Sequence, residues 1–188
     1  AIAGDIATLT SSLKQGGHVI VFRHVATDDS QKDTYPFRFD DMKAQRQLSD
    51  KGREAARAIG VSLKERGIPL GDVYTSRLNR AVETGKLIAA KDVAPRDELT
   101  DSGAGSATKM ANPEGDNAKA GAPIRALVSS SAKPGVNAVL VTHKTNIADA
   151  FGKAFADVGE GEALIFKPAG PAPVLVARVK AGEWTGQK

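Results

Sequence analysis

Short apolar runs alternate along the chain with stretches in which apolar residues return every three or four positions. The spacing of Ile6, Leu9 and Leu13 predicts a helix over residues 5–15, stopped by Gly16-Gly17. Residues 18–22, HVIVF, then read as a buried strand. From 25 to 47 no clean period holds, and Asp28-Asp29-Ser30 and Tyr35-Pro36 read as loop. LSDKGREAARAIGVSLKERG (48–67) follows as a well-marked helix. Ser49 is placed to cap it, Ala55, Ile59 and Leu63 share a face, and Gly67 stands at the C′ position.

A second strand is expected at 72–75 and a helix at about 78–90, with Ala81, Gly85 and Ile88 on its inner side. Residues 95–99 read as a connector or short edge strand. Residues 101–122, rich in Gly, Ala, Asn, Asp and Ser, read as a loop and a lid. Pro123 suits the first position of a further helix, with Ile124, Leu127 and Val128 as its buried side, ended by Lys133-Pro134-Gly135. VNAVLVTH is a strongly apolar strand, TNIADAFGKAF is helical, and EALIFKP with APVLVARV form a hairpin. This alternation predicts an α/β protein: a three-layer sandwich with a mostly parallel central sheet flanked by helices and an antiparallel C-terminal hairpin. No internal repeat or long linker divides the 188 residues, so residues 1–188 are expected to form one domain.

Composition changes this picture little. Basic residues exceed acidic ones by 26 to 22 but are scattered, and aromatics make up only 5%, so nucleic acid is not an expected partner. No apolar run reaches the roughly 18 residues of a membrane span. With no cysteine, disulfides, thiol nucleophiles and thiolate metal sites are all excluded. The chain begins at Ala1 without Met, which reads as the loss of something upstream, a signal peptide or an artificial boundary.

Candidate chemistry comes from where the strands end. In open α/β sheets ligands bind outside the carboxyl ends of the strands. Three predicted strands end in functional groups: Arg23-His24, Thr75-Ser76-Arg77 and Thr142-His143-Lys144. His18 precedes its strand and gets no role. Metal binding fits this set poorly, since there are three histidines, none at i,i+4 spacing, and nearby guanidiniums would repel a cation. A serine triad lacks its Gly-x-Ser-x-Gly elbow. A phosphoryl group fits, because its oxygens need fixed, planar, positive donors and a neutral imidazole is a competent nucleophile. Neither a cofactor nor a metal is expected.

These residues bring a known family into view. Phe22-Arg23-His24-Val25, SRLNRAVETG (76–85) and VTHKTNI (141–147), with LSDKGREAARAIG between the first two, resemble the histidine phosphatase superfamily, the phosphoglycerate mutase-like fold. GEALIFKP and the Glu-Trp near the C-terminus are also similar. The resemblance implies that His24 is the nucleophile that becomes phosphorylated and that Arg23 and Arg80 bind the phosphate, with Arg77 a further ligand. It implies that His143 is the second histidine, donating to the phosphate, while Asn146 caps or braces the rim. The proton donor would come from RDELTDSG (96–103). Lys144 stands where one branch of the family has its acid, which leaves Glu98 and Asp101; Asp101 is preferred because it faces the rim if Leu99 is buried. Val25 replaces the family's usual glycine, and either narrows the approach or packs into the loop.

The expected activity is therefore hydrolysis of a small phosphate monoester through a phosphohistidine. Two alternatives stand beside it: phosphoglycerate mutase-type transfer, for which 188 residues leave little room to enclose the sugar acid, and a non-catalytic anion-binding module. Arg38, Arg46 and Lys109 are available for a second anionic group. Similarity to exported bacterial members, with the missing Met and cysteines, gives a periplasmic or secreted location as the expectation, with the cytoplasm as the alternative.

Overall fold

The computed structural model describes residues 5–101 and 116–186. Its elements are α1 (Ile6–Lys14), β1 (Val19–Arg23), α2 (Asp50–Glu65), β2 (Leu70–Thr75), α3 (Asn79–Ala89), β3 (Ala94–Pro95), α4 (Asp116–Ser131), β4 (Asn137–Thr142), α5 (Lys144–Phe151), β5 (Ala163–Lys167) and β6 (Val174–Val179). One six-stranded sheet runs in the order β3-β2-β4-β1-β5-β6. β3, β2, β4 and β1 are parallel, whereas β5 runs antiparallel to β1 and pairs with β6 as a hairpin.

The strands that read as continuous apolar runs lie at the centre, where both faces are covered. Alternate residues of β1 point to opposite layers. Ile20 and Phe22 join α1, α2 and α3 in one core, with Leu13, Ile59 and Ile88 among its members. Val19 and Val21 join α4 and α5 in the other, with Ile124 and Ile147. Complete burial of such side chains stabilises the fold by about 1.5–3 kcal/mol each, which makes β1 and β4 its fixed reference frame.

Helix ends follow their sequence signals. The Ser49 Oγ accepts from the Gly52 N–H at 3.0 Å, and the Asp5 carboxylate caps α1 through Ala7. Gly67 ends α2 with φ of 70°, a conformation that suits glycine. Gly52 answers a different need: a Cβ there would lie 2.0 Å from the Ala26 carbonyl oxygen. The bare backbone lets the first turn of α2 press against the loop that follows β1.

Two expectations change. Pro123 lies inside α4, not at its start. An interior proline costs one hydrogen bond and crowds the carbonyl four residues before it, but the turn before it is held against α5, where a Cβ on Gly121 would come within 2.2 Å of the Asp149 carbonyl. The predicted lid lies mainly outside the described residues, Lys109 included, and its last part, 116–122, is helical. Residues 95–99 combine both expected forms: the two-residue edge strand β3 followed by a 3₁₀ turn at Asp97–Leu99. No helix among the described residues is long and apolar enough to cross a membrane.

Candidate active site

Parallel pairing brings the three functional strand ends together. Arg23 is in register with Thr142 and Thr75 with Val141, so His24, Ser76 and His143 follow at one rim. The imidazoles of His24 and His143 meet edge-on with centroids 5.4 Å apart. Each residue is nearly sealed, with 2% and 4% of its surface exposed.

His24 Nδ1 lies 2.9 Å from the Val25 carbonyl oxygen. A carbonyl can only accept, so Nδ1 carries the hydrogen and Nε2 keeps its lone pair. Burial pushes the His24 pKa down to about 3, against an opposing contribution from the Val25 hydrogen bond and with the help of Arg80, Arg23 and Arg46. His143 is also held well below the usual imidazole range, first by burial, then by His24 and the same three arginines. Both rings are neutral at pH 7.

Val25 supplies more than that carbonyl. Its side chain is 1% exposed and belongs to the core beneath α2 and α3, which answers the question its identity raised: it packs inward. Its N–H donates to the Thr84 Oγ1 at 3.3 Å, and that hydroxyl donates to the Arg80 carbonyl at 2.7 Å. The loop carrying His24 is thereby tied to the helix carrying Arg80.

Three guanidiniums surround the rings. Arg23 donates from Nη1 to the Val158 carbonyl at 2.9 Å. Arg80, 3% exposed, donates from Nη1 and Nη2 to the two oxygens of Asp33 at 2.9 and 3.2 Å. Arg46 lies near the exposed Asp29 at 4.0 Å, and its backbone N–H donates to Asp33 at 2.8 Å. In all three arginines Nε is buried without a hydrogen-bond partner. Buried donors of this kind are normally satisfied. Three of them beside two neutral imidazoles describe a place prepared for an anion.

The remaining predicted residues are distributed unevenly. Arg77 is turned to Asp97 at 3.3 Å and lies over the Phe39 ring at 4.2 Å, with its side chain 47% exposed. Glu98 pairs with Arg96 at 2.9 Å, and hydrogen bonding to that guanidinium lowers its pKa, which disfavours it as a proton donor. Leu99 is fully buried, so the condition behind the preference for Asp101 is met. Thr142 Oγ1 donates to the Leu99 carbonyl at 2.6 Å, the Asn146 side chain donates to the Thr100 carbonyl at 3.3 Å, and Thr145 Oγ1 lies 3.4 Å from the Asp101 carboxylate. These bonds bind the Asp101 segment to the elements that flank His143, and Asn146 braces the rim as expected. Arg38 is exposed.

Sequence reasoning assigned no role to Ser76 or Asp33. The buried Ser76 Oγ is 2.7 Å from His143 Nε2 and accepts from the Leu78 N–H at 3.1 Å. Its place at a strand end, directly before Arg77, was the available signal. Asp33 sits in an aperiodic loop and had none. The pairing predicts that Asp33→Ala loses about 2 kcal/mol of stability by leaving Arg80 buried without a counter-ion. Inorganic phosphate should restore part of the loss, measured as the shift in urea midpoint with and without phosphate; an equal loss in both conditions would count against an anion site at Arg80.

Residues 19–126 match the model of the histidine phosphatase superfamily (branch 1), and the chain belongs to that family. Several solved structures share its fold. The protein histidine phosphatase SixA, complexed with tungstate, is 16% identical with a TM-score of 0.58, covering 88% of this chain and 98% of its own. Phosphoserine phosphatase from Entamoeba histolytica, in complex with 3-phosphoglyceric acid, is 16% identical with a TM-score of 0.61, at 87% and 96% coverage. Mycobacterial glucosyl-3-phosphoglycerate phosphatase is 18% identical with a TM-score of 0.59, at 87% and 98%. A sequence search among curated proteins returns no significant match.

Proposed function

We propose that this protein hydrolyses a small phosphate monoester through a phosphohistidine on His24. The observation that carries the reading is the group of three buried, unpartnered arginine Nε donors around a neutral, Nδ1-protonated imidazole. Such a site binds a dianion and leaves a nucleophilic nitrogen beside it.

In the first step His24 Nε2 attacks phosphorus and the P–O ester bond breaks, with the departing oxygen taking a proton from Asp101. Arg23, Arg46 and Arg80 hold the equatorial oxygens, whose charge the transition state spreads. In this reading the Ser76 hydroxyl, which accepts from the Leu78 N–H, donates its own hydrogen to His143 Nε2. That leaves the His143 hydrogen on Nδ1 as a donor to phosphate. In the second step water, deprotonated by the Asp101 carboxylate, attacks phosphorus. The N–P bond breaks, its electrons return to Nε2, and phosphate leaves.

The test is a quench experiment with p-nitrophenyl phosphate labelled on phosphorus. An acid-labile, alkali-stable phosphoprotein forming within the first turnover, with phosphate released at steady state, is the expected result. Interconversion of 2- and 3-phosphoglycerate faster than phosphate release would favour the mutase instead. Phosphate binding with neither label transfer nor turnover would reduce the protein to an anion-binding module.

A further inference from the structure

Tyr35, Phe37 and Phe39 occur at every second position of the loop between β1 and α2, a spacing that puts the side chains of an extended segment on one side. Their rings form a run, with centroids 4.9 Å apart for the first pair and 6.1 Å for the second. The Arg77 guanidinium continues it at 4.2 Å from the Phe39 centroid. Neither core includes this run: Tyr35 is 53% exposed and Phe37 and Phe39 are half-buried, and the nearby Met42 is 41% exposed. Exposed apolar surface of this kind at the edge of a site indicates something that covers it.

The run is fastened to the phosphate site. Asp33, two residues before Tyr35, holds Arg80 through both Nη groups. The Gln45 side chain donates to the Arg38 carbonyl at 2.7 Å and accepts from the Asn79 N–H at 2.8 Å, which links the middle of the run to the first residue of α3. Arg77 lies three positions before Arg80. The rings are therefore carried on a segment tied directly to Arg80 and to the start of α3.

We infer that Tyr35, Phe37, Phe39 and Arg77 form a subsite for a planar aromatic or heteroaromatic ring in the leaving group, so that the substrates are ring-bearing phosphate monoesters. This rests on the phosphatase reading. Aromatic faces and a guanidinium plane stack on flat rings with little demand on their substituents. Arg77 thus acts on the organic part of the substrate, while Arg23, Arg46 and Arg80 act on its phosphate.

Adenosine 5′-monophosphate and ribose 5-phosphate test this, since both lose phosphate from the same primary 5′-oxygen and only the nucleotide carries an aromatic ring system. Binding is measured by calorimetry on His24→Ala, where turnover does not intrude. The nucleotide should bind on the order of tenfold more tightly. Adding Tyr35→Ala or Phe39→Ala should bring the ratio of the two affinities close to one; the ratio cancels any general loss from a loosened loop. Equal affinities in the parent, tighter binding of ribose 5-phosphate, or a ratio that neither substitution moves would overturn the subsite. Turnover by the unsubstituted protein is scored separately. Ring preference with no hydrolysis of either ester or of p-nitrophenyl phosphate would sink the phosphatase reading and keep the subsite, and hydrolysis without ring preference would do the reverse.

Discussion

Replacing His24 by alanine should lower kcat/KM toward p-nitrophenyl phosphate by at least about 10⁴-fold, the scale on which losing a covalent nucleophile acts. The ring presents an unprotonated Nε2 in a fixed orientation, because the Val25 carbonyl accepts from Nδ1–H. The neighbouring imidazole cannot replace it, since His143 Nε2 is engaged by Ser76. The three arginines do not depend on His24, so phosphate should still raise the melting temperature of the variant. A variant that keeps a tenth of the wild-type rate would remove His24 from the mechanism. Loss of phosphate binding together with activity would show instead that the substitution had disturbed the site as a whole.

Acid should destabilise the protein steeply, and the two imidazoles should account for much of it. The folded-state pKa of His24 is about 3, against 6.5 for an unperturbed imidazole. Between these values the unfolded chain binds a proton that the folded protein refuses, so stability falls as pH falls through that window. For His24 alone the loss is about 2 kcal/mol at pH 5 and about 3 kcal/mol at pH 4; His143 shifts in the same direction. His24→Asn removes one titration, so denaturant unfolding of variant and wild type should give a stability difference that moves in favour of the variant by these amounts between pH 7 and pH 4. A difference that stays flat with pH would mean that His24 is not sealed. The same depression keeps the nucleophile unprotonated in mildly acidic buffer. The acid limb of activity should then follow the second ionisation of the substrate phosphate, near 6, and not the imidazole.

The sequence made the frame of the site legible because that frame is built from local signals. VIVFRH and VLVTH are apolar runs long enough to be central strands, and parallel pairing carries whatever follows them to the same rim. The Ser49 cap and the Gly67 stop could be placed for similar reasons. What could not be read depends on contacts between distant residues. Asp33 gains its meaning from Arg80, 47 positions away, and the loop around it follows hydrogen bonds to α3 with no period of its own. Pro123 misled because a start signal is only a preference, which packing against α5 overrides.

Val25 ties these two levels together. One residue gives its side chain to the interior, its N–H to Thr84 and its carbonyl to the His24 ring. Trimming it to glycine would therefore open a void under the loop that carries His24 and slacken the aim of the imidazole in a single stroke. The orientation of that ring is thus set through hydrophobic packing, by a side chain sealed from solvent.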